Sequence, residues 1–136
     1  MTYLEICQAQ LPIDEGKKSK PYKDSVGILT VGVGRNLEKG LSEDEIALLL
    51  KNDIAEADKA ARIVFPAFDG LSEPRKAVLV NMAFNLGQAR LAGFVNTLGA
   101  IADGRWDDAA DGMLASKWAT QVGARAGRLA KIMREG

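Results

Sequence analysis

The sequence predicts an α+β fold that is mostly α: a small β-hairpin near the N-terminus, one long helix, and an all-α remainder. Three observations carry this. Leu29, Thr30, Val31, Gly32, Val33 and Gly34 alternate in size and polarity just after a turn-forming Asp24-Ser25-Val26-Gly27, which reads as a hairpin. Ser42-x-x-Glu45 is a capping box, and Ile46, Leu49, Leu50, Ile54 and Ala57 follow it at helical spacing toward Ile63. Beyond the break at Phe65-Pro66-Ala67-Phe68-Asp69-Gly70, apolar segments alternate with short glycine-containing links, the pattern of a compact helical lobe. A chain of 136 residues with 47% hydrophobic content suits one domain, or two small lobes sharing a helix.

Each element has a local reason. Thr2-x-x-Glu5 starts a first helix over residues 2–11, with Leu4, Cys7 and Leu11 along one face and Cys7 read as a small core residue. Pro12 predicts a kink or a restarted turn, and Gly16 then caps the segment and leaves Glu15 at its exposed end. Lys17 to Tyr22 leads into the hairpin, with Tyr22 as a packing residue. There Leu29, Val31 and Val33 are expected on the core side, with Thr30, Gly32 and Gly34 on the other. Leu37 to Leu41 is a short connection. Ser72 caps a later helix with Pro74 in its first turn; from Ala77 to Leu86 that helix is apolar nearly all round, and Gly87 ends it. The expected core includes Met82, Phe84, Leu98, Trp106, Leu114 and Ile132.

Composition narrows the chemistry. The chain has no histidine, which removes Ser-His-Asp and Cys-His catalysis and the usual zinc sites. Its single cysteine excludes an internal disulfide. Net charge is zero but unevenly placed: residues 15–35 carry five Lys or Arg against two acids, 38–75 five against nine, and 116–136 five against one. Basic stretches flanking a candidate site suit an anionic polymer, and a solvated surface accounts for them nearly as well. Overall basicity and interleaved aromatics, the marks of a nucleic-acid binder, are missing. No apolar run is long enough to span a membrane, and the N-terminus lacks a basic-then-apolar leader, so accumulation in the cytoplasm is expected. Gly32-Val33-Gly34 is not a nucleotide loop, because Leu37 stands where a third glycine would be required.

Two carboxylates in different settings remain. Glu15 ends a helix, where the dipole disfavours a further negative charge, and Asp24 sits in a turn. Thr30 adds a hydroxyl on a strand face of glycines that a large ligand could approach closely. An acid, a carboxylate and a hydroxyl around an open surface is what glycoside hydrolysis needs. The bland alternative is solvated surface charge beside an ordinary hairpin, and spacing alone leaves both open.

Asp14-Glu15-Gly16, Tyr22-Lys23-Asp24, Gly27 and Thr30-Val31-Gly32-Val33-Gly34 resemble the active-site signature of the T4-type phage lysozymes, endolysin muramidases of the glycoside hydrolases. The similarity continues through Asn81-Met82-Ala83-Phe84-Asn85-Leu86-Gly87, Ala92-Gly93-Phe94, Asn96-Thr97-Leu98, Arg105-Trp106-Asp107, Ser116-Lys117-Trp118, Gln121, Arg125 and Arg128. The resemblance implies a lysozyme-like two-lobe fold: a small lobe over about 13–42, a connecting helix over about 43–64, and a large lobe over about 65–136 that includes helix 2–11. It implies Glu15, Asp24 and Thr30 as a catalytic triad, with Gly34, Asn85, Phe94, Trp118 and Arg125 as substrate-binding residues and Arg125 near Glu15. Asn85 stands where the family often has Gln, and the chain between Arg35 and Ser42 is shorter than the family pattern. Arg35 stands where His is usual, and Asp53 falls where its acidic partner would lie, so an Arg35–Asp53 ion pair is expected.

By the same resemblance the enzyme hydrolyses the β-1,4 bond between N-acetylmuramic acid and N-acetylglucosamine in peptidoglycan with inversion, its carboxyls about 6.5–9.5 Å apart. No metal or organic cofactor, nucleic acid or membrane insertion is implied. The implied state is a monomer in the host bacterial cytoplasm, acting on the cell wall in the periplasm after holin-dependent release. The rivals are a non-catalytic peptidoglycan-binding or virion structural module with a lysozyme fold, and a lytic transglycosylase, which generally dispenses with the second carboxylate.

Overall fold

A computed structural model describes residues 1–136. It is a mostly α structure of eight helices and a small antiparallel sheet, in agreement with the expected class. The contacts cluster into two units, Met1–Leu48 and Leu49–Gly136.

The first unit opens with α1, Tyr3–Glu15. Its capping box is the expected one: Thr2 Oγ1 accepts from the Glu5 N–H, and the Glu5 carboxylate accepts from the Thr2 N–H. The expected stop at residue 11 does not occur, because α1 runs on through Pro12 to Glu15. Pro12 forfeits one ladder bond close to the helix end, where Gly16 at φ +82° terminates the run in any case. Cys7 is exposed rather than a core residue, since α1 buries none of its side chains.

Strands β1 (Lys18–Lys23), β2 (Leu29–Gly32) and β3 (Arg35–Asn36) pair in sequence order, so the expected lone hairpin is a three-stranded sheet. Tyr22 pairs with Thr30, and Thr30 with Asn36. Thr30 is therefore flanked on both sides and only 3% exposed, whereas Leu29 and Val33 are about 40% exposed. Leu29 and Thr30 thus stand the opposite way round from the sequence expectation, while Val31 and Gly32 are both half-buried. A 3-10 turn over Leu37–Lys39 leads to α2, Glu43–Val64, whose Ser42–Glu45 capping box forms as read.

The second unit holds α3 (Glu73–Leu86), α4 (Gln88–Ala92), α5 (Val95–Ala102), α6 (Trp106–Leu114), α7 (Lys117–Val122) and α8 (Ala124–Glu135). Ser72 caps α3 with Pro74 in the first turn, as expected. Every buried hydrophobic residue of the chain lies here, from Ala57 on α2 to Met133 on α8. Val78, Leu79, Met82, Leu91, Met113 and Met133 are its largest fully enclosed side chains, each contributing roughly 1.5–3 kcal/mol by burial. Of the expected core residues, Met82 is buried, and Leu98 and Trp106 pack against the core. Phe84, Leu114 and Ile132 are instead 46%, 46% and 38% exposed. In α8 the inward stripe is Ala126, Leu129, Ala130 and Met133, and Ile132 falls beside it. Arg75 joins α3 to α8: its Nε donates to the Met133 carbonyl at 2.8 Å, and its guanidinium lies 3.6 Å over the Trp106 ring. No helix is long and apolar enough to cross a membrane.

Candidate active site

Within residues 1–48, Glu15 is the last residue of α1 and is exposed. Gly34 lies in the turn from β2 to β3 with φ +68°, and a Cβ built on it would stand 3.1 Å from Glu15 Oε2. The structure thus brings Glu15 and Gly34 together, with the turn's backbone against the carboxyl. A side chain at 34 would meet both a strained φ and that carboxylate.

Asp24 closes β1 and organises the turn that follows. Its Oδ1 accepts from the N–H groups of Val26 and Ile28, both at 2.9 Å, and its own N–H donates to the Ile28 carbonyl at 2.9 Å. That is an Asx turn, for which a short carboxylate is well suited. Thr30 Oγ1 donates to the same Ile28 carbonyl at 2.8 Å. Ile28 therefore ties Asp24 to Thr30, its N–H on one and its C=O on the other. Asp24 Oδ2 has no protein partner, and Thr30 Oγ1, its proton committed to Ile28, is left able to accept. Ile28 was not singled out from the sequence; the spacing of four from the turn's Asp24 was the available signal.

The expected Arg35–Asp53 pair is replaced by Arg35–Glu45. Glu45 uses both oxygens, Oε1 accepting from the Ser42 N–H at 2.9 Å and Oε2 from the Arg35 guanidinium. The Ser42 backbone donor first, and then Arg35, hold the Glu45 carboxyl below its ordinary value of 4.5. Arg35 prefers Glu45 because the capping box has already fixed that carboxylate in the first turn of α2. Lys17, Lys18, Lys20 and Lys23 form no ion pair, and Lys18 Nζ stands 4.3 Å over the Tyr22 ring.

Within residues 49–136, three more of the expected site residues meet. Trp118 Nε1 donates to Asn85 Oδ1 at 3.0 Å, and Phe94 packs edge-on against Trp118 with ring centroids 6.3 Å apart. Trp118 is only 2% exposed, so its ring is a support and Asn85 is the exposed polar group it steadies. Arg125 donates to Asn81 Oδ1 from Nε at 2.9 Å and from its terminal nitrogen at 2.6 Å. Asn81 was visible as part of a motif but not as a holder of Arg125. A separate groove of about 1200 Å³ runs along α2 from Leu49 to Ile63 and past the end of α3 at Phe84.

The sequence profile of the phage lysozyme family matches residues 13–134. The chain is 26% identical to a probable T4-type lysozyme 2 of Dictyostelium discoideum over 93% of its own length and 92% of that protein's. Probable T4-type lysozyme 1 of the same organism matches at the same identity and coverage. The pre-baseplate central spike protein Gp5 of Enterobacteria phage T4 is 26% identical over 90% of this chain and 26% of its own length.

Proposed function

The chain belongs to the phage lysozyme family, and from that premise we propose that it cleaves the β-1,4 bond between N-acetylmuramic acid and N-acetylglucosamine, with Glu15 as general acid and Asp24 with Thr30 placing the attacking water. It is a glycoside hydrolase of the lysozyme type, and its substrate is peptidoglycan. The observation that carries the assignment of residues is the arrangement around Ile28. Asp24 is anchored through Oδ1 alone, and the Thr30 hydroxyl has spent its proton on the Ile28 carbonyl.

The mechanism follows from those valences. A water donates one hydrogen to Asp24 Oδ2 and the other to Thr30 Oγ1, which leaves an oxygen lone pair free to attack the anomeric carbon. Glu15 gives its proton to the departing glycosidic oxygen, so that neither leaving group nor nucleophile need carry full charge. The new C–O bond forms as the glycosidic bond breaks, and Asp24 takes the water's proton. The outcome is inversion. The sugar contacts we propose are the Gly34 backbone within residues 1–48 and, within residues 49–136, Arg125 and the exposed Asn85, which Trp118 steadies and Phe94 backs. The chain works as a monomer and reaches the wall from the host cytoplasm by holin-dependent release. The unpaired lysines of β1 draw the anionic polymer in.

The match to a spike protein favours one other reading, a virion module that grips the wall without cutting it. Digests of purified peptidoglycan separate the possibilities. New reducing ends with inverted configuration are expected. Anhydromuramic ends would mean a lytic transglycosylase, and retention on the wall without release would mean a binding module.

A further inference from the structure

We infer that the Arg35–Glu45 pair is a positioning device for the proposed acid Glu15, acting through the Gly34 turn; the inference rests on the catalytic reading above. Glu45 is fixed at the start of α2, because its Oε1 accepts from the Ser42 N–H and the Ser42 Oγ accepts from the Glu45 N–H at 3.2 Å. Its other oxygen holds the Arg35 guanidinium. Arg35 opens β3 opposite Val31, and the residue before it is Gly34, whose missing side chain makes room for Glu15 Oε2. The chain of contacts therefore runs from a helix cap, through a carboxylate, to the backbone that faces the acid.

The turn has little else to hold it. Gly32 and Gly34 both have positive φ, Val33 between them is 39% exposed, and β3 is only two residues long. A loop with so few contacts drifts unless something pins it, and a drift of the Gly34 backbone changes the space open to the Glu15 carboxyl. Glu45 is well chosen for the pin. Replacing it with Gln preserves an oxygen for the Ser42 N–H, so the cap survives while the charged contact to Arg35 is lost.

The test is kcat and KM for reducing-end release from soluble peptidoglycan fragments by wild type, Arg35→Met, Arg35→Lys, Glu45→Gln, the Arg35→Met/Glu45→Gln double variant and Glu15→Gln, each with its melting temperature. Arg35→Met and Glu45→Gln should each lower kcat about three- to tenfold with KM little changed; the double variant should be no worse than the poorer single, and Arg35→Lys should recover most of the rate. Single-variant rates within twofold of wild type, or losses that multiply in the double variant, would overturn the positioning role while Glu15→Gln remained inactive. An active Glu15→Gln would instead overturn the catalytic assignment and the inference with it.

Discussion

Residues 1–48 and 49–136 are stabilised by different means. The helical unit contains every buried hydrophobic side chain, while the unit that carries Glu15, Asp24 and Thr30 buries a single residue, Thr30, and that residue is polar. In place of a core, the smaller unit has two capping boxes, an Asx turn, short ladder pairings and one ion pair. A neutral hydrogen bond of that kind contributes about 1 kcal/mol, against roughly 1.5–3 kcal/mol for each enclosed Leu or Met. The lesson is that the proposed chemistry sits on polar geometry, in which a single atom can matter to activity and hardly to stability.

Substitutions can break that contrast. Leu79→Ala in the helical unit should cost about 2–5 kcal/mol, read from denaturant melts of Trp106 and Trp118 fluorescence, because both tryptophans report on that unit. A loss below about 1 kcal/mol would mean the core is less closely packed than its burial indicates. Gly112→Ala, also there, should cost roughly 1–3 kcal/mol, since its new methyl would stand 2.5 Å from Thr97 Oγ1.

Effects in the small unit should be smaller in stability and larger in activity. Asp24→Ala should cost about 1–2 kcal/mol by freeing the Val26 and Ile28 N–H groups, whereas Asp24→Asn retains an acceptor and should melt close to wild type. Both should lower wall hydrolysis by about a hundredfold or more, and an active Asp24→Asn would leave Asp24 with only its turn-forming role. Gly34→Ala should cost about 1 kcal/mol through its positive φ and reduce kcat about tenfold or more by crowding Glu15.

The smallest effect is a pH dependence. Glu45 is depressed on folding, so its contribution is complete above its ordinary value of 4.5 and fades as pH falls below it. Amide protection factors across 29–36, corrected for the intrinsic pH dependence of exchange, should therefore fall below about pH 4.5 in wild type more than in Glu45→Gln; equal profiles would remove the pair as a brace.

How much of this was legible in the sequence follows the same division. Capping boxes at Thr2 and Ser42, the Ser72 cap and the glycine stops were readable because each is a local contact with a fixed spacing. The proposed site residues were readable as a motif. Which face of β2 is buried was not, because Thr30 is enclosed by pairing with both neighbouring strands, and alternation alone has no sign. The partner of Arg35 is hidden for a related reason: spacing marks Glu45 only as a cap residue, and its second oxygen is what takes the Arg35 guanidinium. Phe84 and Ile132 show the limit of periodicity, which finds apolar residues and not which of them end up enclosed.

The most direct measurement is turbidity loss of outer-membrane-permeabilised Gram-negative cells with wild type and Glu15→Gln at matched melting temperature. Glu15 is exposed at a helix end, so the substitution should leave the fold intact. Wild type should clear the cells rapidly, and Glu15→Gln should not. Equal clearing by both proteins would contradict the assignment of Glu15 as the acid.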